Sequence, residues 1–251
     1  MALSFRTNGV KVLKEDRLMK ITAALLLSIA AGAAIAQRNI QPDVRFIANN
    51  NPGRWKATIS YPVFKGDTNV VSFANAELYK TAEYLLEDFL KQARQTRLAS
   101  GAELEALTTA SISYIGTDLI SGTMSSYTFT GGAHGMTYYL PYNFGAVGGV
   151  PKRLGYSDIF KPGTESVMSD RIMTKLQLVD RAAWVHSGEV KSINAKQLNR
   201  FVITPMGVKF LFDPYELGPY SEGRFVIMME YSEIMDLIDQ AGPLRAVLDG
   251  R

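Results

Sequence analysis

The sequence predicts an α+β fold: antiparallel sheet with amphipathic helices packed on one face, arranged as two small subdomains. Three observations predict it. Stretches rich in aromatic and β-branched residues come in adjacent pairs around short glycine-containing connections, the pattern of antiparallel hairpins. Two longer segments, Phe73–Gln95 and Glu165–Ala183, repeat apolar residues along one helical face. The order of segments, β-α-β-β-β-α-β-β-β-α, groups strands in runs, which belongs with antiparallel pairing.

Lys20 precedes an apolar run, Ile21–Ile29, and then small residues ending in Ala34-Ile35-Ala36-Gln37. A basic start, a short apolar core and an A-x-A site describe a secretory signal peptide, with Met19 as the better start codon and Gln37 as the first mature residue. The alternative is an uncleaved anchor, but the apolar run falls short of the roughly 20 residues needed to span a bilayer. The leader, residues 1–36, holds Arg6, Lys11, Lys14, Arg17 and Lys20 against Glu15 and Asp16. Its removal takes the chain from 27 basic and 24 acidic residues to 22 of each. A neutral domain has no electrostatic footprint for nucleic acid or anionic lipid. There is no cysteine, so an exported chain must rest on its core alone.

Residues 37–54, with Asn49-Asn50-Asn51-Pro52-Gly53, read as a flexible arm. Trp55–Phe64 alternates with a period of two, a half-buried strand. The helix Phe73–Gln95 follows, with Ser72 or Asn75 as its expected cap and Leu78, Ala82, Leu85, Leu86, Phe89 and Ala93 on its apolar face. Thr96–Glu105 is a polar connection, Leu107–Ile115 a strand, and residues 55–115 form the smaller N-terminal module.

The C-terminal module, 116–240, opens with a central hairpin, Met124–Asn143, around Gly131-Gly132-Ala133-His134-Gly135. Gly145–Pro151 is a glycine-rich turn, and Leu154–Phe160 runs into a helical turn capped by Ser157. The second helix, Glu165–Ala183, turns Val167, Ile172, Leu176 and Val179 inward. Phe201–Thr204 and Val208–Phe212 form a hairpin around Pro205-Met206-Gly207. Asp213–Gly223 is a Pro/Tyr loop, Arg224–Met229 a strand and Tyr231–Ile238 a closing helix; 241–251 is a tail.

The chain has two histidines, His134 and His186, and neither stands at a metal-ligand spacing. His134 as a general base for Ser111, Ser125 or Ser126 lacks a nucleophile elbow and an orienting carboxylate, so shaping its own glycine loop is the better reading. The carboxylate pairs Glu103/Glu105, Glu87/Asp88 and Asp236/Asp239 fall on polar faces or in a connection, where glycoside hydrolysis would need them facing each other across a cleft. In the Pro/Tyr loop, prolines restrict the backbone while Tyr215 and Tyr220 offer rigid contact surface. The competing reading folds both tyrosines back over the core edge and leaves only Glu216 and Glu222 outside.

Thr130-Gly131-Gly132-Ala133-His134-Gly135, Tyr142-Asn143-Phe144, Leu154–Phe160, Phe201–Thr204 with Gly207–Phe210, and Asp213–Tyr220 occur in this order. Together they resemble the extracytoplasmic domain of RsiV-type anti-sigma factors, found also as the non-catalytic part of PdaC-type peptidoglycan deacetylases. Ile59-Ser60-Tyr61-Pro62 and the helix after it resemble the smaller module that precedes that domain, so the likeness runs from Trp55 to Ile238. What the resemblance implies is binding, since in RsiV-type sensors this domain recognises lysozyme. Little precedes the leader, where an anti-sigma factor has a sigma-binding segment and a membrane helix, and a metal-dependent deacetylase domain is missing. Gly145–Gly149 replaces the family's acidic residue and turn.

The expectation is therefore an exported, periplasmic or extracellular, non-enzymatic binding module without cofactor or metal. Its partner is a protein or cell-wall ligand, with lysozyme-like enzymes and wall fragments as candidates, and neither nucleic acid nor stable membrane insertion is expected. The expected binding residues are Gly131, Gly132, His134, Gly135, Pro214, Tyr215, Glu216, Pro219 and Tyr220. The alternatives are a structural or assembly component of the envelope and a peptidoglycan-directed hydrolase.

Overall fold

The computed structural model describes residues 40–97 and 102–250, so the predicted leader lies outside the described residues. Six strands form one sheet in chain order: β1 (Gln41–Asn51), β2 (Trp55–Lys65), β3 (Leu104–Ile115), β4 (Leu119–Phe129), β5 (Met136–Val147) and β6 (Val150–Arg153). A 27-residue helix, α1 (Asn69–Gln95), joins β2 to β3. At 1.5 Å per residue it runs about 40 Å and returns the chain to the end of the sheet where β2 began. That crossover makes β2 and β3 parallel, while every other neighbouring pair in the sheet is antiparallel.

The first strand corrects the expected flexible arm. Residues 41–51 pair with β2 over their full length. Arg54 N donates to Asn51 O at 2.9 Å across Pro52-Gly53, and Gly53 takes the left-handed φ of 74° that this three-residue turn needs. The polar asparagines are used by the hairpin itself: Asn49 Oδ1 accepts from Trp55 Nε1 at 3.0 Å, and Asn50 Oδ1 from Ala57 N at 3.2 Å.

Helix α1 begins earlier than its apolar repeat suggests. Thr68 is its N-cap, accepting from Val71 N at 3.1 Å, where Ser72 or Asn75 was expected. Asn75 instead clamps the end of β2, accepting from Phe64 N and donating to Phe64 O, both at 2.8 Å. The buried face of α1, which includes Ala74, Leu78, Ala82, Phe89 and Ala93, packs on Ile59, Ala106, Ile120, Met124 and Phe144 of the sheet to make the first core.

The second core gathers α2 (Tyr156–Ile159), α3 (Glu165–Leu176), α4 (Ala183–His186) and α5 (Ala195–Leu198) against a three-stranded antiparallel sheet. Its strands are β7 (Phe201–Ile203), β8 (Gly207–Phe212) and β9 (Phe225–Glu230), followed by α6 (Tyr231–Ile234) and α7 (Arg245–Leu248). The expected helix Glu165–Ala183 stops at Leu176, because Leu178 N and Val179 N bond three residues back, to Lys175 O and Leu176 O, and tighten the chain into turns. The helical turn at 156 is entered from Gly155, whose N–H donates to Asp158 Oδ2 at 2.9 Å; Ser157 does not cap it. The expected helix to Ile238 is helical only to Ile234, and the tail is held by the buried Leu244 and Val247.

The two cores share β4 and β5. Ile120, Met124 and Phe144 face α1, whereas Leu119 on the opposite face belongs to the second core. The 115/116 position therefore lies between two paired strands of one sheet rather than between two packed units. β7 docks against that opposite face through buried polar groups. Asn143 Nδ2 donates to Phe201 O at 2.8 Å, Ser121 Oγ donates to Asn143 Oδ1 at 2.7 Å, and Ile203 N donates to Ser121 Oγ at 2.8 Å. A continuous buried run, Leu119–Met124, is what a strand covered on both faces looks like.

Candidate functional site

The glycine loop and the Pro/Tyr loop meet. The His134 and Tyr220 rings stack with centroids 3.9 Å apart and planes 20° apart, and the Tyr215 ring lies 5.8 Å from that of Tyr220. Tyr220 donates its hydroxyl to Gly135 O at 3.0 Å, and His134 Nδ1 lies 3.1 Å from the same oxygen. Three rings from two stretches some 80 residues apart thus form one surface. Tyr215 is 50% exposed and Tyr220 36%, so both rings keep much of their area open.

Local backbone chemistry places them. Gly131 and Gly132 have φ of 103° and 101°, in the region that costs a side chain heavily, and they turn the chain out of β4 so that His134 projects past the strand ends. Gly135 is buried because the Tyr127 ring lies where its Cβ would be. On the other loop, Tyr215 has φ of 67°, the one non-glycine residue with positive φ among the described residues. Such a conformation costs on the order of 1–3 kcal/mol and persists only when its surroundings enforce it.

Those surroundings are two arginines and a buried leucine. At the loop entrance, Arg200 pairs with Asp213 and, at 3.3 Å, with Glu216. Glu216 Oε2 also accepts from Asp213 N at 2.5 Å. At the exit, Arg181 donates to Glu222 O and, at 2.7 Å, to Arg224 O, with its guanidinium 4.1 Å from the centre of the Phe225 ring. Leu217 is fully buried in the second core between them, and Pro214 is buried as well. A loop held at both ends and at its middle presents Tyr215 and Tyr220 already ordered.

Of the nine residues expected to bind, the rings His134, Tyr215 and Tyr220 form the surface, with Gly131, Gly132 and Gly135 shaping it. Pro219 is half-buried and leads directly into Tyr220. Pro214 lies beneath the surface, and Glu216 turns in to Arg200. The reading in which the tyrosines cover the core while Glu216 and Glu222 stay outside is reversed. Glu216 meets Arg200, and Glu222 Oε2 accepts from Ala183 N at 3.2 Å, so both carboxylates are engaged, while Tyr215 and the stacked Tyr220 keep ring area exposed. Arg181, Arg200 and Arg224 went unnoticed in the sequence because none sits in a motif. Arg224 reaches Ser125 Oγ at 2.8 Å and lies 4.1 Å from the centre of the Tyr139 ring, tying the loop exit to β4 and β5.

Among the described residues, no group of three His, Asp or Glu side chains could hold a metal ion, and no helix is long and apolar enough to cross a membrane. Residues 50–137 match the family model described as "Deacetylase PdaC", and residues 157–232 match that of a "Protein of unknown function (DUF3298)". Gly131–Gly135 lies in the first match and the Pro/Tyr loop in the second, so the rings join the two. Among solved structures, a DUF3298-family protein of Bacteroides fragilis shares the fold at a TM-score of 0.59 and 14% identity, over 84% of this chain and 98% of that one. A DUF3298-family protein of Pseudomonas aeruginosa matches at a TM-score of 0.48 and 18% identity, over 80% of this chain and 96% of that one. No curated protein matches the chain.

Proposed function

Joining a PdaC-type segment to a DUF3298 domain, the chain is, we propose, an exported, non-enzymatic binding module of the cell envelope whose contact surface is the platform of His134, Tyr220 and Tyr215. The observation that carries this reading is the pairing of exposure with order. Aromatic rings are costly to leave in water, and here they are held open by a loop clamped through Arg200, Leu217 and Arg181 and strained at Tyr215. Rigid tyrosines give contact area with little entropy left to lose on association. The nearby carboxylates Asp213, Glu216 and Glu222 are all held by structural partners, which suits a contact surface better than acid–base chemistry. The candidate partners are lysozyme-like enzymes and cell-wall fragments.

A second reading has its own observation. The bond from Tyr220 to Gly135 O and the stack on His134 also describe a clasp that keeps the two loops together. Titration against lysozyme and against solubilised wall fragments, with melting curves on the same variants, separates the two. Tyr220→Ala should weaken binding at least tenfold, as truncating a tyrosine hot spot costs about 2 kcal/mol, while melting moves little. Tyr220→Phe, which keeps the ring and deletes the bond to Gly135 O, should bind as the parent does. A large melting shift with unchanged affinity assigns the rings to the clasp, and absence of saturable binding to either probe rejects the proposed partners.

A further inference from the structure

β6 covers only Phe144–Val147 of β5, so Met136–Asn143 runs along the rim of the six-stranded sheet. Side chains and a neighbouring backbone amide meet the polar groups of this rim. Tyr139 N donates to Asp213 Oδ1 at 2.8 Å, and Tyr139 O accepts from Arg200 at 3.2 Å. Pro141 has no N–H, its carbonyl accepts from Arg153 Nη1 at 3.2 Å, and Asn143 O accepts from Leu154 N at 2.7 Å. An added strand would find these partners taken.

Beside the rim, between β5 and α1, lies an open cleft of about 480 Å³. That is within the range of about 300–1,000 Å³ usual for small-molecule sites. Leu140 and Pro141 give it apolar walls over the buried Leu78 and Met124, and Tyr138, 42% exposed, stands at its side. Two guanidinium groups reach it. Arg200 is matched by Asp213 and Glu216, two carboxylates for one cation. Arg153 has no carboxylate within 4 Å among the described residues. Glu77, whose charge reaches it, is itself bonded to Lys80 at 3.0 Å. The Arg153 guanidinium lies 4.9 Å from the centre of the Phe144 ring, and loss of water holds its pKa below the ordinary arginine value. The side chain is exposed, and its bond to Pro141 O uses one of its five N–H donors.

We propose that this cleft binds a small carboxylate bearing an apolar or aromatic group, with the Arg153 guanidinium taking the carboxylate and Tyr138, Leu140 and Pro141 taking the apolar part. A planar fork with donors to spare and no carboxylate in reach among the described residues favours a two-oxygen partner. The apolar walls select against inorganic anions, which have nothing to place there. A free acid and a peptide C-terminus share this chemistry. The site shares the Arg200–Asp213 pair with the clamp of the ring platform but none of its rings.

N-acetyl-L-phenylalanine, its amide, inorganic phosphate and the peptide N-acetyl-Ala-Ala-Phe are the probes, followed by titration with backbone NMR on the intact chain. The free acid should bind with a Kd of about 1 mM or tighter, shifting Tyr138–Tyr142 and Arg153, and the amide and phosphate at least tenfold more weakly. A peptide bound more tightly than the acid identifies a chain terminus as the ligand; the reverse order identifies a free acid. Arg153→Gln should abolish the difference between acid and amide. Thr81→Phe, which fills the cleft without touching the charge, should block both, while Tyr220→Ala leaves them unchanged. Equal binding of acid and amide to the parent chain, shifts confined to His134 and Tyr220, or no binding of the acid at 10 mM (about ten times the expected Kd) overturns the proposal.

Discussion

Asn143→Ala tests how the two cores are joined. Asn143 is 3% exposed and holds both sides of the junction, donating to Phe201 O at 2.8 Å and accepting from Ser121 at 2.7 Å. Truncation removes two buried hydrogen bonds, worth about 1 kcal/mol each. Where water does not enter, the carbonyl and the hydroxyl left facing an apolar gap raise that to about 1–3 kcal/mol for each group. The expected loss is about 2–6 kcal/mol, the low end applying if water enters. For a chain of this size, 1 kcal/mol moves the midpoint by about 2–4 °C, so melting should fall by roughly 4–24 °C. Urea titration supplies the free energy and reports whether one transition splits into two. Ser121→Ala in the same background should be less costly than alone, because its partner is already gone, with a coupling of about 1 kcal/mol. A loss under about 1 kcal/mol, or strict additivity of the two substitutions, refutes the claim that this bridge joins the cores.

Arg200→Ala should destabilise by about 3–5 kcal/mol in urea titration, since it strands the Asp213 carboxylate, whose side chain is only 7% exposed, and should also free Tyr215 from its strained φ. In acid, the Lys175 bond to Glu233 at 2.6 Å and the Arg171 bonds to Asp236 at 2.7 and 2.8 Å hold both carboxyls below their ordinary values. A depressed folded pKa contributes stability above the unfolded value that is lost as pH falls, so Glu233→Gln should flatten the melting profile below about pH 4.5, with little change at neutral pH beyond the lost pair.

The parts of the fold legible in the sequence were those where one physical demand dominates. The α1 repeat is visible because a long helix on a sheet must bury one stripe, the hairpin around 131–135 because its turn demands glycine, and that around 205–207 because the β9 backbone at Met229 leaves Gly207 no room for a Cβ. Strand β1 was hidden because an edge strand buries little, so nothing forces alternation on Gln41–Asn51, and its asparagines look like a coil until Trp55 and Ala57 are there to receive them. The parallel pairing of β2 with β3 was hidden because it follows from the path of α1, not from either strand. Tyr215 and Tyr220 stood out as rigid rings on a restricted loop, yet their clamp did not: Arg181 and Arg200 act through shape and distance, and sequence spacing carries neither.

The resemblance motifs acquire a common physical meaning once the edges of the two sheets are compared. β7 is an edge strand whose outward Phe201 O and Ile203 N meet no further strand; Asn143 and Ser121, from β5 and β4, meet them instead. β5 has its own open rim, and there Tyr139 N and O are met by Asp213 and Arg200, which flank β8 and β7. Each sheet finishes the other's edge with side chains, and two of the four residues that do so, Asn143 and Asp213, lie inside Tyr142-Asn143-Phe144 and at the head of Asp213-Pro214-Tyr215-Glu216. Buried polar groups must find partners, so this exchange fixes how the second sheet sits on the first. It also determines where the Pro/Tyr loop leaves β8, and hence that Tyr220 arrives over His134. The ring platform is thus a consequence of the junction: loosening either edge exchange should move the rings apart before it unfolds either core.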